Sequence, residues 1–138
     1  MTIARPKAFK PFKPWVLVDT SVWVEFIRFG NAQLSALLVD GHVLTHDMVI
    51  GEVACGSAAN RTERLSLMKS LPKVTQAEHS EVLALIDRHQ LFGHGVGYVD
   101  NHLLAATVLH GEASLWTRDK RLQVAAAQLG IAFEALAH

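Results

Sequence analysis

The apolar run Trp15-Val16-Leu17-Val18 ends abruptly on Asp19. Four apolar residues without alternation are the mark of a strand buried on both faces. Such a strand needs covering layers above and below, and the residues after it supply them. Val22, Trp23, Phe26 and Ile27 recur at helical spacing behind Thr20 or Ser21, either of which can cap a helix, and Gly30 lies past its end. The chain therefore starts as strand, acid, helix, and this order recurs further along.

Residues 31–39 read as a second short helix with Leu34, Leu37 and Leu38 inward, and residues 42–45 as a weak strand opened by Gly41. Asp47 is placed to cap a helix over 48–57, and residues 60–70 are helical. Pro72 breaks the chain before an extended piece at 73–75. Residues 77–89 form a helix with Val82, Leu85 and Ile86 on one face, and Gly93, Gly95 and Gly97 a loop. A helix over 100–110 stops at Gly111, a strand covers 114–117, a helix over 120–129 stops at Gly130, and a last strand covers 131–136. Strands alternating with helices specify an α/β fold with a central parallel sheet. Its functional edge lies outside the carboxyl ends of the strands.

The 138 residues fit one domain over 15–138, preceded by a flexible, basic, proline-containing arm at 1–14. The arm interleaves basic and aromatic residues, which suits either single-stranded nucleic acid or a solvated tail. No stretch is long enough to span a bilayer, and Asp19 interrupts the apolar run too soon for a signal peptide. With one cysteine there is no internal disulfide, and the expectation is a cytoplasmic protein. Half the residues are hydrophobic and the formal net charge is zero. That combination favours association, so apolar surface should be covered by another chain.

Four acids carry the chemistry. Asp19 and Asp119 follow strands, and Asp100 opens a helix after the glycine loop. Each has a plain alternative: a cap or turn for Asp19, a cap for Asp100, an ion pair with Arg118 or Lys120 for Asp119. Glu52 lies among Gly51, Val53, Ala54 and Cys55, which reads as a mostly buried helix where a carboxylate needs a partner. In a parallel sheet, strand ends and helix starts share one edge. Carboxylates converging there repel unless a cation joins them. Oxygen donors without a cysteine cluster select a hard ion, Mg2+ or Mn2+. Such an ion activates water and steadies charge on a phosphodiester.

Other motifs carry less. No phosphate-binding glycine motif is present. His42 and His46 would lie about 13 Å apart on a strand, too far to share zinc, and the remaining histidines are scattered. Cys55 reads as a small core residue.

The strings VDTSVWVEF (18–26), GEVA (51–54), YVDNHLLAA (98–106) and LWTRD (115–119) resemble, in order and spacing, the four motifs of PIN-domain ribonucleases, particularly the toxins of VapBC-type toxin–antitoxin systems. The resemblance runs from about Trp15 to the C-terminus, and the arm before it is longer than usual in such toxins. It implies a PIN-like α/β/α sandwich, with Asp19, Glu52, Asp100 and Asp119 as the acidic, metal-binding catalytic site. Ser21 and Thr117 match positions that support it by hydrogen bonding. It also implies an RNA substrate, a homodimer and a small antitoxin protein as partner.

The reading is a metal-dependent endoribonuclease that cleaves RNA with activated water, the toxin of a toxin–antitoxin pair. Two other classes compete. A small-molecule phosphohydrolase of the haloacid-dehalogenase type shares the strand ending in Asp but needs a second Asp where this chain has Ser21. A non-catalytic PIN-like module that binds RNA or protein would be favoured by loss of an acid, and all four are present.

Overall fold

The computed structural model describes residues 13–136, so residues 1–12 of the expected arm lie outside the described residues. Three strands, β1 (Trp15–Val18), β2 (Val43–Leu44) and β3 (Ala113–Trp116), pair in parallel in the order β2-β1-β3. Val16, Leu17 and Val18 are each at most 2% exposed. Since successive strand residues point to opposite faces, the central strand is covered on both sides. Seven helices among the described residues do the covering: α1 (Thr20–Phe29), α2 (Ala32–Val39), α3 (Asp47–Ala54), α4 (Arg61–Ser70), α5 (His79–His89), α6 (Tyr98–His110) and α7 (Lys120–Gln128). The result is the helix-flanked parallel sheet expected from the alternation, and the α/β/α sandwich that the resemblance implies.

Helix α6 is the most deeply set. Asn101, His102, Leu103, Leu104, Ala105, Ala106 and Thr107 are all buried, so this helix is enclosed on every side over nearly two turns. It carries Asp100 in its first turn. Trp23 is likewise core, 1% exposed, with Phe26 edge-on to it.

Several boundaries differ from the sequence reading. The expected last strand is a single bridge, Leu115 to Ala132. Leu115 makes two backbone bonds there, to Ile131 and Phe133, and then the Leu136 amide donates to Gln33 Oε1, which draws the chain off the sheet. Residues 73–75 similarly contribute one bridge, Thr45 to Lys73. Helix α3 is capped by His46, whose Nδ1 accepts the Met48 amide, not by Asp47. Asp47 accepts from Lys73 and Gln76, which hold its carboxyl below the usual range. Helix α5 starts two residues late because Glu78 and Glu81 form a capping box. Helix α6 starts two residues early, at Tyr98, so Asp100 stands inside its first turn.

Candidate active site at the carboxyl edge of the sheet

Asp19 occupies the N-cap position of α1 but makes no side-chain cap bond. Its carboxylate turns elsewhere. Oδ2 accepts from Ser21 Oγ at 2.7 Å and from Thr117 Oγ1 at 2.8 Å, and the residue is 6% exposed. Both hydroxyls are themselves fixed from the backbone that follows β3. Ser21 Oγ accepts the Arg118 amide, and Thr117 Oγ1 accepts the Asp119 amide. A buried carboxylate is thus locked between the ends of β1 and β3 by two hydroxyls whose own rotation is already decided.

Asp119 lies at the other end of this network. It caps α7, with Oδ1 accepting from the Arg121 and Leu122 amides. Arg118, one of the partners expected for it, instead reaches back across the edge to Glu25 through both Nε and Nη2.

Glu52 corrects an expectation. It is exposed, as are Gly51 and Cys55, and only Val49 and Val53 of α3 are buried. The apolar residues around it are small, and this eight-residue helix packs by one narrow stripe. Desolvation therefore cannot be what constrains Glu52, and Cys55 is not core. Instead Glu52 Oε1 accepts from Thr20 Oγ1 at 2.8 Å, which fastens it to the residue after Asp19. In the sequence Thr20 shows only as a possible helix cap, and nothing there marks it as the anchor of Glu52.

Asp100 shows that the four acids share one neighbourhood. Its carboxyl is pushed up to about 6, first by burial and then by the charges of Asp19, Asp119 and Glu52; a hydrogen bond from the Gly97 backbone works the other way. No lysine or arginine takes part in that balance. The site therefore carries surplus negative charge on oxygen donors alone, the chemistry that a hard divalent ion relieves. The carboxylates are not drawn together around a point: among the described residues no three Asp, Glu, His or Cys side chains stand close enough to hold one ion as they are.

Asn101, next to Asp100, donates from Nδ2 to the Gly97 and Val96 carbonyls and so ties the glycine loop to α6. Behind this helix start the fold gathers three histidines that are far apart in the chain. Tyr98 Oη shares hydrogen bonds with His79 Nδ1 and His102 Nε2, and His46 stands edge-on to His102. Burial, aided by His102, lowers the His46 pKa, and burial with His79 lowers that of His102. His46 and His102 are neutral packing for α6, and no sequence spacing announces the group.

A parallel sandwich with an acidic carboxyl edge defines a class, and similarity to known proteins agrees with it. The family model of the PIN domain matches residues 16–128, and the chain belongs to the PIN-domain family. Over 117 residues it is 46% identical to Ribonuclease VapC32 of Mycobacterium tuberculosis, in both strain CDC 1551 / Oshkosh and strain H37Rv. That match covers 85% of this chain and 94% of the relative. Among solved structures, the crystal structure of PAE2754 from Pyrobaculum aerophilum aligns with a TM-score of 0.55 over 81% of this chain and 79% of that one. At 16% identity, this last likeness speaks to the fold alone. No helix among the described residues is long and apolar enough to cross a membrane.

Proposed function

We propose that this chain is an endoribonuclease of the VapC type, the toxin of a toxin–antitoxin pair, and that it works with Mg2+ or Mn2+. The observation that carries the reading is the hydrogen-bonded edge that ties Asp19 to Ser21 and Thr117 and Glu52 to Thr20, with Asp100 in the field of Asp19, Asp119 and Glu52, in a PIN-domain chain. The 46% identity to a protein named as a ribonuclease supports RNA as the substrate. Asp19, Glu52, Asp100 and Asp119 would hold the metal. Glu52 and Asp119 are exposed, so their side chains can turn inward without opening the core. When bound, the ion supplies charge stabilisation at the phosphodiester and lowers the pKa of water.

The chain's own residues do the positioning. Ser21 and Thr117 both hold Asp19 through Oδ2 and so fix the orientation of the carboxylate that would help to hold the ion. Thr20 orients Glu52, and the Gly97 backbone steadies the ionised form of Asp100. Wild-type protein should cut single-stranded RNA with added manganese, stop on EDTA, and leave a panel of small phosphate monoesters intact. Equal turnover of the monoesters would favour the small-molecule phosphohydrolase, and RNA binding without cutting the non-catalytic module.

A homodimer and a small antitoxin protein complete the reading, in a cytoplasmic setting. Zero net charge supports it, as do exposed Phe29, Val39 and Phe92. Light scattering at tens of micromolar should give twice the chain mass. A soluble monomer there would count against the dimer.

A further inference from the structure

Between the loop that follows α5 and the outer side of α7 runs a groove of about 240 Å3, lined by Leu91, His94, Val96, Arg121, Val124 and Ala125 among others. Its making is specific. The Arg121 side chain lies across Gly95, so that a Cβ at Gly95 would stand 2.6 Å from Nη1 and 2.9 Å from Cδ. Gly95 also has φ +77, a conformation that side-chain-bearing residues rarely adopt. The loop thus makes a seat for one guanidinium. Yet among the described residues that guanidinium has no acceptor, and the bond to Asp119 Oδ1 comes from the Arg121 backbone amide. An exposed cation lies over Gly95 with its charge unpaired.

Two of the acids are linked to the groove through the chain. Arg121 follows Asp119 by two residues and is bonded to it. Val96, on the opposite wall, immediately precedes Gly97, whose backbone meets Asp100. Leu91 and Ala125 form a buried apolar floor, and Val124 an exposed rim. The volume falls below the roughly 300–1,000 Å3 of pockets that take whole ligands. An apolar floor beside an unpaired guanidinium, next to a site for phosphodiester chemistry, has the complement of one nucleotide: a flat base and an anionic phosphate.

We propose that this groove holds a nucleotide of single-stranded RNA beside the cleaved bond, its base on the apolar floor and its phosphate on Arg121. The assignment rests on the ribonuclease reading and adds to it the path of the strand. Arg121 is a positioning residue, acting on substrate binding ahead of the acids.

The test uses a single-stranded RNA oligonucleotide with the full chain, at 50 and 200 mM salt. Arg121→Ala should raise KM about tenfold with little change in kcat, and flatten the log–log salt dependence by about 0.7, the contribution of one phosphate contact on a single strand. Arg121→Lys should recover the salt dependence because the charge returns. Val124→Glu, on a 69% exposed position where folding is not at risk, should also raise KM by repelling the phosphate. Lys69→Ala, exposed on α4, should match wild type. Anisotropy with the same oligonucleotide in an Asp100→Asn background separates the two readings. RNA that binds about tenfold more weakly without Arg121, yet is never cut by wild type, keeps the groove and overturns the ribonuclease. Cleavage and binding unchanged in both Arg121→Ala and Val124→Glu overturn the groove and leave the ribonuclease standing.

Discussion

Asp19→Asn protein is expected to fold and to lose RNA cleavage by more than about 100-fold. That factor is the upper end of what removing a partner behind a metal ligand costs, and Asp19 stands closer to the chemistry than such a partner. The substitution is nearly isosteric. The side-chain amide it introduces keeps an oxygen that can accept from Ser21 Oγ and Thr117 Oγ1, so the tie between β1 and β3 survives. What disappears is the charge. Ser21→Ala and Thr117→Val ask the complementary question, since each leaves the charge and removes one of the hydroxyls that aim it. Each should cost about 10- to 100-fold. Each also takes an acceptor from a backbone amide, that of Arg118 for Ser21 and that of Asp119 for Thr117; Thr117 is the more deeply buried, so Thr117→Val should be the worse of the two for stability. Full cleavage by folded Asp19→Asn protein, judged by circular dichroism and a cooperative melt, would refute the assignment of Asp19.

The parts of this site that a sequence can show are those fixed by chain-local rules. Asp19 and Asp119 are placed by the strands before them, because a short apolar run in a parallel sheet has only one end at which the next residue can leave the core. Asp100 is placed within two residues because a helix start must follow the glycine loop. Glu52 stands out in the sequence for the wrong reason. Gly51, Ala54 and Cys55 raise the apolar content around α3 but have too little volume to bury it, so only Val49 and Val53 face inward. The anchor of Glu52, Thr20, lies 32 residues away on another helix, where no pattern can reveal it. The same holds for His46, His79 and His102, which look scattered until α3, α5 and α6 pack. The 131–136 segment reads as a strand from its composition, but a competing acceptor on α2, Gln33, takes its last amide. Gly95 is legible as a loop glycine and not as the seat of Arg121, because the chain does not state which side chain will cross it.

The acid cluster should also be visible in stability. In metal-free protein at pH 7.5, Asp100→Asn is expected to raise stability by on the order of 1 kcal/mol. Burial, then Asp19, Asp119 and Glu52, lift the Asp100 pKa from 3.8 to about 6. The folded value lies above the unfolded one, so the carboxylate opposes folding. Below about pH 4 it is protonated in both states and has no effect. As pH rises past the unfolded pKa the penalty grows, and above about 6 it is complete. A rise of this size corresponds to about 3 kcal/mol at full strength, but Asp100 is only half-buried and water screens it, hence the smaller expectation. Wild type and Asp100→Asn should therefore melt together near pH 4 and separate between pH 4 and 6, with the variant higher. Manganese should invert the order. A ligand at a hundredfold excess over Kd adds about 2.7 kcal/mol to the state that binds it, and the wild-type cluster gains this while the variant gains less. Melting curves at pH 4, 6 and 7.5, with EDTA and with millimolar manganese, measure both effects. If the variant is no more stable than wild type in EDTA at pH 7.5, the four charges do not act on one another. If both proteins shift equally with manganese, the ion is bound elsewhere than at Asp100.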